Sequence, residues 1–223
     1  MLRDEALREA LHARLAAWPR QAITAASAPQ HRRAAVVLAI ADAGHGGALS
    51  GLPQHRRWSH EAALLLTRRT RQLHSHAGQW SLPGGRLDDE EGALHAALRE
   101  LREELGLALP QGSVLGALDD YATRSGYVIT PFVAWTDGAA HLAPAAAEVE
   151  SVHRIELSEL LRADSPLFDP PHEGHVHPVL RMPLGDDWVA APTAALLYQF
   201  REVCLRGRPT RVAHFDQPRF TWR

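Results

Sequence analysis

Three glutamates, Glu100, Glu103 and Glu104, stand at i, i+3 and i+4 within the stretch Leu82 to Leu107, LPGGRLDDEEGALHAALRELREELGL. On a helix, residues so spaced are surface neighbours, and like charges there repel unless something cationic sits among them. Only Arg99 and Arg102 interleave, and Arg99, i,i+4 to Glu103, is placed to hold that carboxylate. An oxygen-rich cluster on a rigid helix also suits Mg²⁺ or Mn²⁺, hard cations that take oxygen ligands. On residue types alone, a solvated acidic face explains the cluster more simply.

The element carrying these glutamates is bounded by clear signals. Pro83-Gly84-Gly85 breaks the chain, Asp88 to Glu91 place negative charge at a helix start, and Gly106 supplies a left-handed stop, which predicts a helix from Asp89 to Leu105. At 100° per residue Leu94, Leu98, Leu101 and Leu105 form one narrow stripe for a core, and the three glutamates fall on the opposite side.

The spacing resembles the signature of the Nudix hydrolase family, G-x5-E-x7-R-E-U-x-E-E-x-G-U with U aliphatic. Gly85, Glu91, Arg99, Glu100, Leu101, Glu103, Glu104, Gly106 and Leu107 match every fixed position in one register. The resemblance implies an α/β/α sandwich with a mixed β-sheet, hydrolysis of a nucleoside diphosphate linked to another moiety, and Mg²⁺ or Mn²⁺ as cofactor. It implies Glu100, Glu103 and Glu104 as metal ligands, Arg99 as the group that orients a carboxylate, and Glu91 as a brace for the loop-helix-loop. Gly84 and Gly85 would let backbone approach closely. The base that takes the water proton is not set by the motif; Glu103 is the first candidate. Glu148 is the second, since it enters a strand where similar proteins bring a carboxylate to the metal centre. An exposed strand-start glutamate explains Glu148 equally well.

Upstream, Leu65, Leu66, Thr67, Arg69, Gly78, Pro83, Gly84 and Gly85 resemble the further motif of coenzyme A diphosphatases, L-L-T-x-R-[SA]-x3-R-x3-G-x3-F-P-G-G. Thr70, His74 and Leu82 depart from it. By this resemblance Arg69 would contact phosphate or nucleotide, with Gly78 shaping the loop beside it; an arginine paired to a carboxylate for structure is the competing account. His74 stands where the pattern has an arginine, and a histidine mostly neutral at pH 7 grips phosphate less well. The expected substrate is coenzyme A or an acyl-coenzyme A, cut to 3′,5′-ADP and 4′-phosphopantetheine or its acyl form. The alternatives are another nucleotide such as ADP-ribose or a dinucleoside polyphosphate, and a binding module without catalysis, which would have no need of all three glutamates.

The rest of the chain narrows the class. Its 223 residues suit one domain with additions: a helix and extension over 1–33, a hydrolase domain over 34–205, and a tail over 206–223. A formal charge of −2 gives no chain-wide basic field for nucleic acid, and no apolar run is long enough to span a bilayer. The start at Met1 lacks a signal-peptide pattern and Cys204 has no second cysteine to pair with, so a cytoplasmic location is expected. The partner is a small nucleotide, with a homodimer left open. All 24 basic side chains are arginine, which excludes a Schiff-base lysine and a P-loop lysine. Cys204 reads as a core residue. His172, His175 and His177 could be drawn as a zinc site but lack a fourth ligand of matching spacing, and read as loop histidines.

Elsewhere the pattern predicts a helix over 3–17, a polar structureless stretch to Arg33, and a strand over Ala34 to Ile40, buried on both faces. A second strand, Ala62 to Thr67, follows a long glycine-rich loop from Ala43 to His60. Strands follow over Val114 to Tyr121, Tyr127 to Trp135 and Val149 to Leu157, then a short helix over Ser158 to Ala163. A late strand over Val176 to Leu184 and a helix from Pro192 to Leu205 complete the chain.

Overall fold

The computed structural model describes residues 1–72, 77–136 and 141–221. In chain order the elements are α1 (Glu5–Ala17), β1 (Arg32–Gly46), β2 (Gln54–Arg69), β3 (Trp80–Ser81), β4 (Gly84–Arg86), α2 (Ala93–Leu105), β5 (Val114–Ala117), β6 (Tyr121–Ala122) and β7 (Tyr127–Trp135). They continue with β8 (Val149–Glu156), α3 (Leu157–Leu160), β9 (Leu167–Asp169), β10 (Val179–Leu184), β11 (Asp187–Ala190) and α4 (Thr193–Phe200).

The main sheet runs β3-β2-β1-β7-β5, with β4 also on β1, β6 on β7 and β8 on β2. It is mixed: β1 runs parallel to β7 from Arg32 opposite Tyr127 to Ile40 opposite Trp135, while β2 and β4 lie antiparallel to β1. Successive side chains of a strand point to opposite faces, so β1 feeds two cores. Leu38 and Ile40 join Leu64, Leu66, Leu11, Leu15, Leu196 and Phe200 on one face. Ala35, Val37, Ala39 and Ala41 join Leu65, Leu101 and Leu105 on the other. The small side chains on that second face let α2 lie close to the sheet. A helix layer on each face makes the α/β/α sandwich with a mixed sheet.

Several sequence expectations are corrected. Most of the stretch read as a glycine-rich loop is strand, because β1 and β2 form a long hairpin whose register shifts between Asp42 and Gly46. Gly44 and Gly46 take positive φ there, and such bulges let a strand continue where period-2 patterning fails. The late strand is one of three in a separate small sheet, β11-β10-β9. The helix from Pro192 stops as regular α-helix at Phe200 and continues as one π turn over Arg201–Leu205.

Helix α2 starts at Ala93 and not at Asp89. Glu90 has φ 63, and the acidic run forms a turn before the helix. The Glu91 carboxylate, expected in the first helical turn, is instead taken by Arg99. Gly106 ends the helix as expected, at φ 68 with its N–H on the Arg102 carbonyl. The buried face comprises Ala96, Ala97, Leu101, Glu104 and Leu105, while Leu94 and Leu98 are only half-buried. The helix is thus rotated from its leucine stripe toward its glutamates, and Glu104 lies inside, not opposite.

Cys204 is buried, and burial pushes its thiol up to about 12. His172 is within hydrogen-bonding distance of the Gln217 carbonyl at 3.1 Å, His175 pairs with Asp216 at 2.5 Å, and the His177 ring meets His214. These histidines tie the loop to the C-terminal segment. Among the described residues no helix is long and apolar enough to cross a membrane.

Candidate active site

The site sits where α2, β4 and the ends of β1, β2 and β8 meet. Pairing of Val36 with Gly84 fixes β4 against β1, and pairing of Arg69 with Val149 fixes the start of β8 against the end of β2. Glu148 therefore lies beside Arg69, its carbonyl accepting the Thr70 N–H at 2.9 Å. A cleft of about 700 Å³ opens over this junction, and its wall includes Arg69, Gly84, Gly85, Glu100, Glu104 and Glu148.

The neighbouring glycines need no side chain for different reasons. A Cβ on Gly84, at φ +146, would lie 2.2 Å from the Ala35 carbonyl oxygen. A Cβ on Gly85 would lie 2.4 Å from the Glu100 carboxylate. The first absence serves the sheet, and the second serves the site.

Arg99 is the hub outside the cleft wall. It donates to Glu91 at 3.0 and 2.9 Å, to Glu100 at 2.9 Å, to Glu103 at 3.1 Å and to the Arg86 carbonyl at 3.1 Å. Glu91 also accepts the Asp88 N–H at 3.1 Å, and His95 lies 2.7 Å from it. The Arg99 guanidinium, with these lesser contacts, holds the Glu91 carboxyl down to about 2, and Glu91 in turn raises Arg99. One always-charged fork thus ties the turn before α2 to the helix.

Glu104 is the opposite case. It is 4 % exposed. One oxygen accepts the Gly84 N–H at 3.0 Å, and the other is 4.0 Å from Arg69. Burial raises its pKa to about 7, the Gly84 N–H and Arg69 offset part of that, and Glu100 and Glu148 add to it. Glu100 is raised as well, by burial first, with Arg99 offsetting and Glu103 and Glu148 adding. Glu103 is more open, its side chain 52% exposed. Carboxylates pushed up together are a donor set short of positive charge, the condition a divalent cation relieves. By the chemistry of its donors the cluster fits such an ion. Among the described residues, however, no three His, Cys, Asp or Glu side chains already close on one point.

Of the residues singled out from sequence, Arg69, Gly84, Gly85, Glu100, Glu104 and Glu148 meet in the cleft wall, while Arg99 and Glu103 do not line it. Gly78, at φ +69, closes a turn whose N–H donates to the Arg69 carbonyl at 3.0 Å, and it lines a smaller adjoining cavity of about 190 Å³. His74 lies outside the described residues. Sequence reasoning missed Arg32, Arg86 and Tyr127, which share the same wall. No local pattern marks them, because the pairing of β1 with β4 and β7 brings them together.

A mixed sheet with helices on both faces thus carries a cleft of carboxylates over β1 and α2. The Nudix domain family matches residues 54–176. A Nudix hydrolase NudL of Photorhabdus laumondii subsp. laumondii, described as uncharacterized, is 34% identical over 141 residues, covering 62% of this chain and 75% of that protein. Proteins of the same description from Citrobacter koseri and Yersinia enterocolitica are 39% and 36% identical over 100 and 118 residues. Those matches cover 44% and 52% of this chain, and 52% and 60% of the relatives. A MutT/nudix family protein of Enterococcus faecalis shares the fold, with TM-score 0.54 at 18% identity, over 80% of this chain and 65% of that one. The chain belongs to the Nudix hydrolase family, whose substrates are nucleoside diphosphates linked to a further moiety and whose members generally use a divalent metal ion.

Proposed function

We propose that the protein is a coenzyme A diphosphatase, cutting coenzyme A or its thioesters to 3′,5′-ADP and 4′-phosphopantetheine or the acyl form. The observation that carries a diphosphate reaction is the gathering of Glu100, Glu104 and Glu148 in one cleft with Glu100 and Glu104 held above their ordinary pKa. The coenzyme A assignment rests on the upstream motif, from Leu65 to Gly85, with Arg69 in the cleft wall.

In this reading Glu100, Glu103 and Glu104 hold Mg²⁺ or Mn²⁺. When bound, the ion neutralises phosphate charge and acidifies water. Arg99 keeps Glu100 and Glu103 aimed, and Glu91 keeps Arg99 aimed. Arg69 offers a guanidinium to a phosphate oxygen; its buried Nε has no hydrogen-bond partner among the described residues. Glu148, in the cleft wall where Glu103 is not, is the better placed of the two candidate bases to take the proton from an attacking water.

A substrate panel with product identification tests the proposal: coenzyme A, acetyl-coenzyme A, ADP-ribose and a dinucleoside polyphosphate, each with Mg²⁺ or Mn²⁺. The expected result is turnover of the first two to 3′,5′-ADP. Ready cleavage of ADP-ribose with coenzyme A untouched overturns the coenzyme A assignment and leaves the family activity.

A further inference from the structure

The cleft has two unlike walls. On the β1–β7 side stands Tyr127, with the Arg32 guanidinium 4.3 Å and the Arg86 guanidinium 5.3 Å from its ring centre. The sheet sets this group: Arg32 pairs with Tyr127 across β1 and β7, and Arg86 pairs with Ala34 across β4 and β1. Stacking on an aromatic ring orders a guanidinium without using its donors. Neither Arg32 nor Arg86 has a carboxylate partner among the described residues, although arginines elsewhere in this chain, such as Arg99 and Arg162, are tied to several. The Tyr127 hydroxyl is itself buried with no hydrogen-bond partner among the described residues.

The other wall differs in kind. Trp80, Pro192, Thr193 and Thr221 are shared between the cleft and the smaller cavity, which Trp188 and Phe220 also line. Its charged pair, Arg68 and Asp187, is closed on itself. Among the described residues that side offers apolar surface and no free charge.

We infer that Arg32 and Arg86, ordered about Tyr127, form a phosphomonoester subsite that receives the phosphate on the nucleotide's ribose, so that the substrate lies with its uncharged arm toward Trp80 and Trp188. The inference rests on the coenzyme A reading above and adds how the chain tells that nucleotide from one without the extra phosphate. Two guanidinia without a carboxylate partner among the described residues match a phosphate dianion, which accepts several charge-assisted hydrogen bonds at once. The nucleotide of ADP-ribose carries no such group.

The test compares coenzyme A with dephospho-coenzyme A, which lacks only that phosphate, on the wild type, Arg32→Ala, Arg86→Ala and the milder Arg86→Gln. Both arginines are exposed, and a thermal melt of each variant confirms folding. The expected wild-type preference for coenzyme A in kcat/KM is about tenfold or more, carried mainly by KM, and each arginine removed cuts it by about tenfold at most. Calorimetry on metal-free protein gives a second readout: 3′,5′-ADP binds more tightly than 5′-AMP to the wild type, and the difference shrinks in Arg86→Ala. Equal use of the two substrates by the wild type, or an undiminished preference in both Arg32→Ala and Arg86→Ala, overturns the subsite and leaves the coenzyme A activity standing. Turnover of ADP-ribose with neither coenzyme hydrolysed overturns both.

Discussion

Gly84 and Gly85 are adjacent, yet alanine at each should fail in a different way. At Gly85 the new Cβ would lie 2.4 Å from Cδ and Oε1 of Glu100 and 2.7 Å from Oε2. Carbon and its neighbours are comfortable at about 3.5–4.0 Å, so the carboxylate must withdraw by about 1 Å. It is the far end of a flexible side chain, and it can. The fold should therefore survive Gly85→Ala with a stability change within ~1 kcal/mol, while a displacement of that size at a reacting centre costs about 10²-fold in rate.

At Gly84 the obstacles are the Ala35 carbonyl oxygen at 2.2 Å and the Val36 Cα at 2.6 Å, both backbone of the central strand, and φ is +146. Neither atom can move without parting β4 from β1. Backbone strain of about 1–3 kcal/mol adds to the lost pairing, and for a chain of this size each kcal/mol lowers Tm by ~2–4 °C. A fall of roughly 6–12 °C is expected for Gly84→Ala, and little for Gly85→Ala. Activity alone does not separate the two, because the Gly84 N–H also serves Glu104. Thermal denaturation beside hydrolysis of coenzyme A does. Equal loss of Tm in both variants, or full activity in Gly85→Ala, refutes the division of roles.

Other outcomes follow from the same geometry. Glu104 has a folded pKa of about 7 against an ordinary 4.5. The stability linked to its protonation is fully present below pH 4.5 and lost as pH rises through 7. Denaturant unfolding of metal-free protein should show a decline of at most about 3 kcal/mol over that window, by roughly 1.4 kcal/mol per pH unit. Glu104→Gln should flatten it, and an unchanged slope in that variant assigns the titration elsewhere. Glu148→Gln is expected to lower kcat by about 10²-fold with Tm unmoved, and rates within twofold of wild type remove Glu148 as the base. Glu103→Gln should raise the Mg²⁺ concentration needed for half-maximal rate as well as lowering kcat, and an unaltered metal requirement in that variant removes Glu103 from the ligand set. His74→Arg, restoring the arginine of the upstream motif, should raise kcat/KM for coenzyme A relative to ADP-ribose; a constant ratio argues that position 74 does not touch the substrate.

What could be read from the sequence, and what could not, divides along the range of the interactions involved. The glutamate helix was legible because its chemistry is local: Glu100, Glu103 and Glu104 are written at helical spacing, and Gly106 ends the helix through a conformation that its own lack of a side chain permits. Even so, periodicity sent Glu104 outward, since a rule that sorts residues by polarity places any glutamate in solvent. The Gly84 N–H and Arg69 arrive from β4 and β2 to hold it inside. The acidic turn was misread as helix for the same reason: helix-end rules count charge near a terminus and have no way to see that Arg99 has already claimed Glu91. Arg32, Arg86 and Tyr127 carry no spacing at all, and the parallel pairing of β1 with β7 together with the antiparallel pairing of β4 with β1 makes them neighbours. Diphosphate chemistry can be encoded in one helix, because the ion and the phosphates are compact. Telling one nucleotide from another requires contacts spread along the substrate's length, and those come from strands far apart in the chain. The family was therefore readable from nine positions and the proposed substrate from the upstream motif, whereas the proposed phosphate subsite rests on residues that only the folded sheet brings together.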